Sequence, residues 1–455
     1  MLLPASKPSA VDCFIADVAR LTPMQFYGKV SSVVGMLIEI KGNTTLLSVG
    51  DRCRVYARNN TIIPLEIIGF KGDVALAIPY TTLDGIGLGN KVLYEQAAPV
   101  VYPSDAWLGR VINAFGDPID EQGALVQGAK PQAIKANPPP SHARGRVGKK
   151  LNLGVRALNI FLTCCVGQRL GIFAGSGVGK STMMSMFAKF TEADVVVIGL
   201  IGERGREVQE FIEDDLGIEG MKKSVLVVAT SDESPLMRRQ AAYMTLTVAE
   251  YFRDQGKNVL CLMDSVTRFA MAQREIGLSA GEPPTSKGYT PTVFTELAKL
   301  LERAGPGLKG SGSITGLFSV LVEGDDTNEP IADATRGILD GHIVLERKIA
   351  ERGRYPAINI LKSISRSMPD CNTLEETKLI NRARGMLAAY ENMAELIRLG
   401  AYKKGTDAAV DEAIVHYPLI EDFLTQATYE QSTFDEGYER LSEIITPKRR
   451  ETYKI

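Results

Sequence analysis

The chain has 455 residues, 45% of them apolar and 23% charged, with a net charge of −2 at neutral pH. That length exceeds what one hydrophobic core can organise and sets an expectation of two or three domains; the charge balance excludes a protein that coats nucleic acid through bulk basicity. No apolar run approaches the roughly eighteen residues of a membrane span, there is no signal-peptide pattern, and cysteines 13, 53, 164, 165, 261 and 371 form no C-x-x-C pair. The expectation is a cytoplasmic enzyme with reduced, buried thiols.

Residues 1–24 contain SAVDCFIADVARL, which places Val11, Phe14, Ile15, Val18 and Leu21 at helical spacing, with Ser9 as a cap and Pro23 just beyond. Such an amphipathic helix packs onto its own domain or docks a partner or a membrane surface. Over 25–95 the texture changes to short β-rich runs (KVSSVVGMLIEI, TTLLSV, RCRVYA, IIPLEIIGF, VALAIPY, KVLYE) separated by Gly, Asn and Asp turns. That pattern predicts a small all-β barrel or sandwich without catalytic residue types. It lacks the basic stripe with interleaved aromatics of an oligonucleotide-binding barrel. The stretch NPPPSHARGRVGKK reads as a semi-rigid connector whose Arg144, Arg146, Lys149 and Lys150 form a solvated basic link or, as the alternative, touch polyanions.

From 96 to 365 apolar strands alternate with helical stretches: RLGIFA, DVVVIGL, SVLVVAT, NVLCLMD, SITGLFSVLV. Continuous Val/Ile/Leu runs separated by helices indicate a parallel sheet covered on both faces, and ligands in such sheets sit beyond the strands' carboxyl ends. The first of these runs leads into FAGSGVGKS, Phe173 to Ser181, and a breaker-free stretch from Thr182 to Phe190. Strand, glycine loop and helix in that order make a phosphate-binding loop. Ala174, Gly175, Ser176, Gly177, Val178, Gly179, Lys180, Ser181 and Thr182 are its residues. The glycines let backbone N–H groups turn inward, and the helix N-terminus adds positive dipole. Lys180 reaches the β- and γ-phosphates and Ser181 ligates Mg²⁺. Ala174 stands where the motif has its first glycine, which is harmless if that position keeps φ below zero. The chain is therefore expected to bind a nucleoside triphosphate.

Other residues of suitable type follow the remaining strands. Asp264 ends VLCLMD, where a carboxylate can hold the magnesium shell. GERGRE follows VVVIGLI and supplies Glu203, Arg204, Arg206 and Glu207: a carboxylate to position the attacking water, Glu207 as a further carboxylate for the metal, and an arginine to offset γ-phosphate charge. Taken singly, Asp264 reads equally as a helix cap and Glu203 as a solvated loop residue; their conjunction with the loop carries the reading. From 366 to 455 the pattern turns helical and predicts a small all-α domain.

From about residue 25 onward the chain resembles the catalytic subunits of rotary ATPases, and more closely the flagellar and type III secretion export ATPases. The resemblance rests on AGSGVGKS, GERGREVQEFI, LTVAEYFRDQGKNVLCLMDSVTRFA, GEPPTSKGYTPTVF and ATRGILDGHIVLERKIAERGRYPAINILKSISRSM. It implies a multidomain α/β protein: a P-loop, RecA-like parallel-sheet core with an N-terminal β-barrel and a C-terminal α-helical domain. It further implies that Glu203 is the water-activating glutamate, that Arg204 and Arg268 lie near the γ-phosphate, that Tyr355 stacks on adenine, and that Arg366 is an arginine finger supplied in trans. Noncatalytic rotary subunits lack the glutamate. The function implied is Mg-dependent ATP hydrolysis by a homohexameric ring at the cytoplasmic face of the flagellar export apparatus. A regulatory stator protein would bind the N-terminal segment, with export-gate components, exported proteins or their chaperones as further partners, no nucleic acid, and peripheral membrane contact at most. A virulence-type secretion ATPase shares every motif used; a hexameric RNA translocase and a noncatalytic ring component are the more distant readings.

Overall fold

The computed structural model describes residues 25–58, 60–95, 99–322 and 329–446; the amphipathic segment read at 1–24 lies outside them. The chain divides into two compact units at about residue 99.

In the first unit, β1 (Tyr27–Val34), β2 (Leu37–Lys41), β3 (Arg52–Tyr56), β4 (Ile62–Lys71), β5 (Val74–Pro79) and β6 (Lys91–Tyr94) close into an antiparallel barrel in the order β1-β2-β5-β4-β3-β6. Period-two alternation sends Ile38 and Ile40, Cys53 and Val55, and Ile63, Leu65 and Ile67 to one shared interior. Closure removes the unpaired strand edges that a sandwich would leave. The run KVSSVVGMLIEI is two strands, because Gly35 takes a φ of 58° and turns the chain back on itself. TTLLSV is not a strand: Thr44–Leu46 forms a 3₁₀ turn and only Leu47 of that run is buried, so the alternation a strand needs is absent.

The second unit is built on a sheet in the order Ile364–Ser365, Gly341–Leu345, Arg169–Ala174, Ser313–Leu321, Asn258–Asp264, Val195–Glu203, Ser224–Thr230 and Val111–Ile112. Ile364–Ser365 is an antiparallel edge; the other neighbours in this order run parallel. Helices such as Lys180–Phe190 and Pro235–Asp254 pack on it, which is why Val195–Glu203 is buried almost throughout. Helices Leu374–Arg398, Ala408–Leu424 and Phe434–Ile445 form the C-terminal bundle, and capping boxes Thr373/Glu376 and Thr433/Glu436 open the first and last. The buried Arg156 ties this bundle to the core, donating to Phe423 O at 2.7 Å and pairing with Glu430. Gln426 adds an amide bond to Gly154 O at 2.8 Å. The expected architecture of barrel, nucleotide-type α/β core and helical C-terminus is the one found.

The connector departs from expectation. Arg144 is not a solvated link residue: its guanidinium donates to the Glu302 and Pro139 carbonyls, and Lys150 bonds Glu376 at 2.8 Å. Arg146 and Lys149 are exposed. Nearby, the buried Arg303 donates to both Glu250 oxygens at 2.9 and 2.7 Å, to Thr247 Oγ1 at 2.9 Å and to Ile134 O at 2.8 Å. With every partner in place the pair locks the chain at Ile134, just ahead of the connector, to helix Pro235–Asp254. Glu250→Ala strands a buried guanidinium, and chemical denaturation is expected to show a loss of about 3–5 kcal/mol.

Among the described residues Cys53, Cys164, Cys165, Cys261 and Cys371 are free, the first four buried and Cys371 partly exposed. No described helix is long and apolar enough to cross a membrane.

Candidate active site

Strand Arg169–Ala174 runs into the glycine loop, and the helix begins at Lys180 rather than Thr182, so Lys180 and Ser181 occupy its first turn. Ala174 closes the strand, buried and outside the positive-φ region, as its place in the motif requires. Gly177 and Gly179 take φ of 75° and 85°, which L side chains rarely adopt. Gly179 has a second constraint: a Cβ there would lie 3.3 Å from the Tyr355 ring.

Around the loop is a cavity of about 350 Å³, open on one side. Gly175, Ser176, Gly177, Gly179, Lys180, Ser181 and Thr182 form one wall, and Glu203, Arg204, Glu207 and Arg268 form another. Val178 packs its side chain into the core and offers the cavity only backbone. Lys180 Nζ is bonded to Asp264 Oδ1 and lies 3.7 Å from Glu203 Oε1. Asp264 and Glu203 end neighbouring strands, with Leu200 in register with Asp264, so the parallel sheet itself brings the two carboxylates to one edge. Burial, with the Asp264 charge adding to it, pushes the Glu203 carboxyl up to about 7, against the lowering influence of Lys180.

The arginines differ. Arg268 stands in the cavity wall with its Nε buried and without a hydrogen-bond partner, and its stem covers Gly202, where a Cβ would meet Arg268 Cβ at 3.0 Å. Arg204 is largely exposed and bonds Glu207 at 3.1 Å, so Glu207 is held by an arginine at the cavity mouth. Tyr355 is 44% exposed, its ring against the end of the loop. Arg366 is brought nowhere near this cavity. It follows the edge strand and donates N–H to Asp340 O at 2.9 Å, while Asp340 donates to Arg169 O at 2.8 Å. Arg366 thus sits at the opposite end of strand Arg169–Ala174 from the loop. Two contributors escaped the sequence reading. Ser319 Oγ donates to Asp264 Oδ1 at 2.6 Å from the neighbouring strand, and Arg347 Nη2 donates to Ser176 O at 3.2 Å. The signal for Ser319 was a lone hydroxyl inside the apolar run GLFSVL; nothing local marks Arg347.

Among the described residues no cluster of three or more His, Cys, Asp or Glu side chains forms a cage for a metal ion. The oxygen donors present, the Ser181 hydroxyl and the Asp264 carboxylate, suit Mg²⁺, which takes one or two protein oxygens and completes its shell with phosphate and water.

The model of the ATP synthase alpha/beta family nucleotide-binding domain matches residues 154–365, and that of the T3SS EscN ATPase C-terminal domain matches 373–443. A flagellum-specific ATP synthase of Caulobacter vibrioides is 59% identical over 95% of this chain and 98% of its own. The chain belongs to the flagellum-specific ATP synthase family. A second member, from Bacillus subtilis, is 49% identical over 96% of this chain and 98% of its own. Among solved structures, the assembled ATPase EscN of the enteropathogenic E. coli type III secretion system superimposes with a TM-score of 0.85 at 40% identity, covering 92% of this chain and all of that one. A further structure holds EscN in complex with its central stalk EscO, with a TM-score of 0.84 at the same identity and coverage. As a member of the flagellum-specific family, this chain is an ATPase that uses nucleotide, and these two flagellar relatives are more similar to it than EscN is.

The exposed Tyr355 ring against the end of the loop carries a prediction. Tyr355→Ala is expected to raise KM for ATP about tenfold with kcat unchanged in steady-state assays, as loss of uniform binding does.

Proposed function

We propose that this chain hydrolyses Mg-ATP as one subunit of a homohexameric ring and energises protein export through the flagellar type III secretion apparatus. The observation that carries the reading is the separation of Arg366 from its own glycine loop, beside an otherwise complete hydrolytic cavity. In-line phosphoryl transfer needs positioning and charge stabilisation more than covalent chemistry. Glu203 holds the attacking water and takes its proton; Lys180 and the unpartnered Arg268 Nε face the γ-phosphate oxygens. Loop N–H groups from Gly175 to Thr182 hold the β-phosphate, and Tyr355 carries the base. Ser181 and Asp264, with Glu207 nearby, would hold Mg²⁺, which would supply charge neutralisation for the phosphates. Lys180 is bonded to Asp264 and must exchange that contact for the phosphates. Arg204 lies at the cavity mouth with Glu207, where a neighbouring subunit would approach. The last positive charge comes from Arg366 of the next subunit. A stalk or stator-type protein, export-gate components and export substrates are the partners this reading implies, at the cytoplasmic face of the secretion apparatus.

The test is ATP hydrolysis against protein concentration with mass measured alongside, and RNA added in a parallel series. Specific activity that climbs as hexamers appear and ignores RNA is expected. Activity independent of concentration in a monomer overturns the ring, and a requirement for RNA moves the function to a translocase.

A further inference from the structure

A second cavity, of about 220 Å³, lies between the edge strand and the first C-terminal helix, lined by Phe161, Ile364, Met368, Asn372, Ile380 and Arg384 among others. Its walls mix apolar side chains with hydroxyls and amides, and it holds two donors with little to bind. Asn372 Nδ2 is buried and has no hydrogen-bond partner. Arg384 makes one marginal contact, Nη2 to Ser363 O at 3.5 Å, and no carboxylate among the described residues pairs with it. Burial lowers its pKa with no charge to offset it. A half-buried guanidinium without a carboxylate partner and a buried, unpartnered amide N–H match a carboxylate acceptor.

Elsewhere on the same unit a segment carries the complementary charge. Residues 205–219 hold Glu207, Glu210, Glu213, Asp214, Asp215 and Glu219 against Arg206 alone. The segment is a short helix, Gly205–Glu210, running into a π-helical turn, Phe211–Leu216, and its Glu210, Glu213 and Asp214 are exposed. π-helical turns recur at functional sites.

The chain positions of these features relate the two surfaces. Ile364 and Met368 of the cavity lie two residues either side of Arg366, and the acidic segment begins two residues after Glu203. If Arg366 of one copy reaches the hydrolytic cavity of the next, the Arg384 cavity of the first is carried against the acidic segment of the second. We propose that the Arg384–Asn372 cavity is a docking site for the acidic helix 205–216 of the adjacent copy, with Glu213 the carboxylate that enters it. The contact is heterologous, a different patch on each copy, as a closed ring requires. It sets the insertion of Arg366 by fixing the cavity beside it, and it rests on the ring proposed above.

Two full-length variants, Glu213→Cys and Asn381→Cys, test it; both positions are exposed and neither belongs to the hydrolytic site. Carried in a Cys371→Ser background, mixed with Mg²⁺ and a non-hydrolysable ATP analogue and treated with a short bis-maleimide, they are expected to give a covalent dimer absent from either variant alone. Wild-type assembly is followed in parallel by mass. A mixture that assembles without the adduct overturns this contact and leaves the ring intact; a wild type that never assembles overturns the ring and this contact with it. Independently, Arg384→Glu is expected to raise the protein concentration at half-assembly at least tenfold while nucleotide binding by the monomer is unchanged, with recovery when Glu213→Arg is added to the same chain. Assembly of Arg384→Glu at wild-type concentration also overturns the proposal.

Discussion

Replacing Glu203 by Gln leaves nucleotide binding intact and lowers turnover by roughly 10²–10⁴-fold, the span general-base catalysis commonly contributes. Gln keeps the volume and the hydrogen-bonding oxygen of the side chain, so the cavity wall survives, but it cannot accept the proton of the attacking water. Binding is read from nucleotide fluorescence or calorimetry and turnover from phosphate release. Loss of binding in a folded variant would remove Glu203 from the role. The pH profile supplies a second reading. A carboxyl pushed up to about 7 is protonated, and useless as a base, below that pH. Wild-type kcat/KM is therefore expected to fall as pH drops through about 7, because that parameter reports the free enzyme's base. The Gln variant, with nothing to titrate there, should lack that limb. The same acidic limb in both proteins would assign it to another group.

The parts of this site that could be read in the sequence are those fixed by local backbone demands. A loop that must turn several N–H groups inward writes glycines at set intervals, and Gly177 and Gly179 do take positive φ. Asp264 and Glu203 were legible for a related reason: parallel strands end at one edge, so a carboxylate closing an apolar run is delivered there without any long-range information. The barrel was legible as short alternating runs, although TTLLSV, with β-type residues and one buried member, imitated a strand. What escaped were contacts between distant segments. Ser319 reaches Asp264 only because their strands are neighbours in a permuted order. Arg347 finds Ser176 through a short helix on the other side of the loop, and Arg144 docks on Glu302 where composition alone suggests a solvated linker. Tyr355 and Arg268 entered through family resemblance, since neither position carries a periodicity or spacing of its own. Chemical type is local, whereas the partner is set by topology.

Arg366→Ala is expected to lower the turnover of assembled protein by roughly 10³–10⁵-fold, the range an arginine finger supplies, with nucleotide binding by a single subunit unchanged. The geometry restricts how that loss can arise. Arg366 lies level with the first residue of strand Arg169–Ala174, linked to it through Asp340, while the loop follows the last, a strand of six residues apart. At about 3.3 Å per residue this is on the order of 20 Å, more than an arginine side chain spans. A cis role would need the edge strand to leave the sheet. Mixing distinguishes the two cases without relying on any single variant's fold. Arg366→Ala and Lys180→Ala subunits are each inactive alone, the first for want of a finger and the second for want of a competent loop. In a mixed ring assembled at random from equal amounts, roughly one interface in four joins an intact loop to an intact finger. Activity should return to about that fraction of the wild type if the finger acts in trans. If Arg366 served its own subunit, no mixture would recover, because every chain would still carry one lesion. Recovery also requires a subunit contact that survives both substitutions, so the assay reports on the ring and on the finger together, and mass measured on the same samples separates the two.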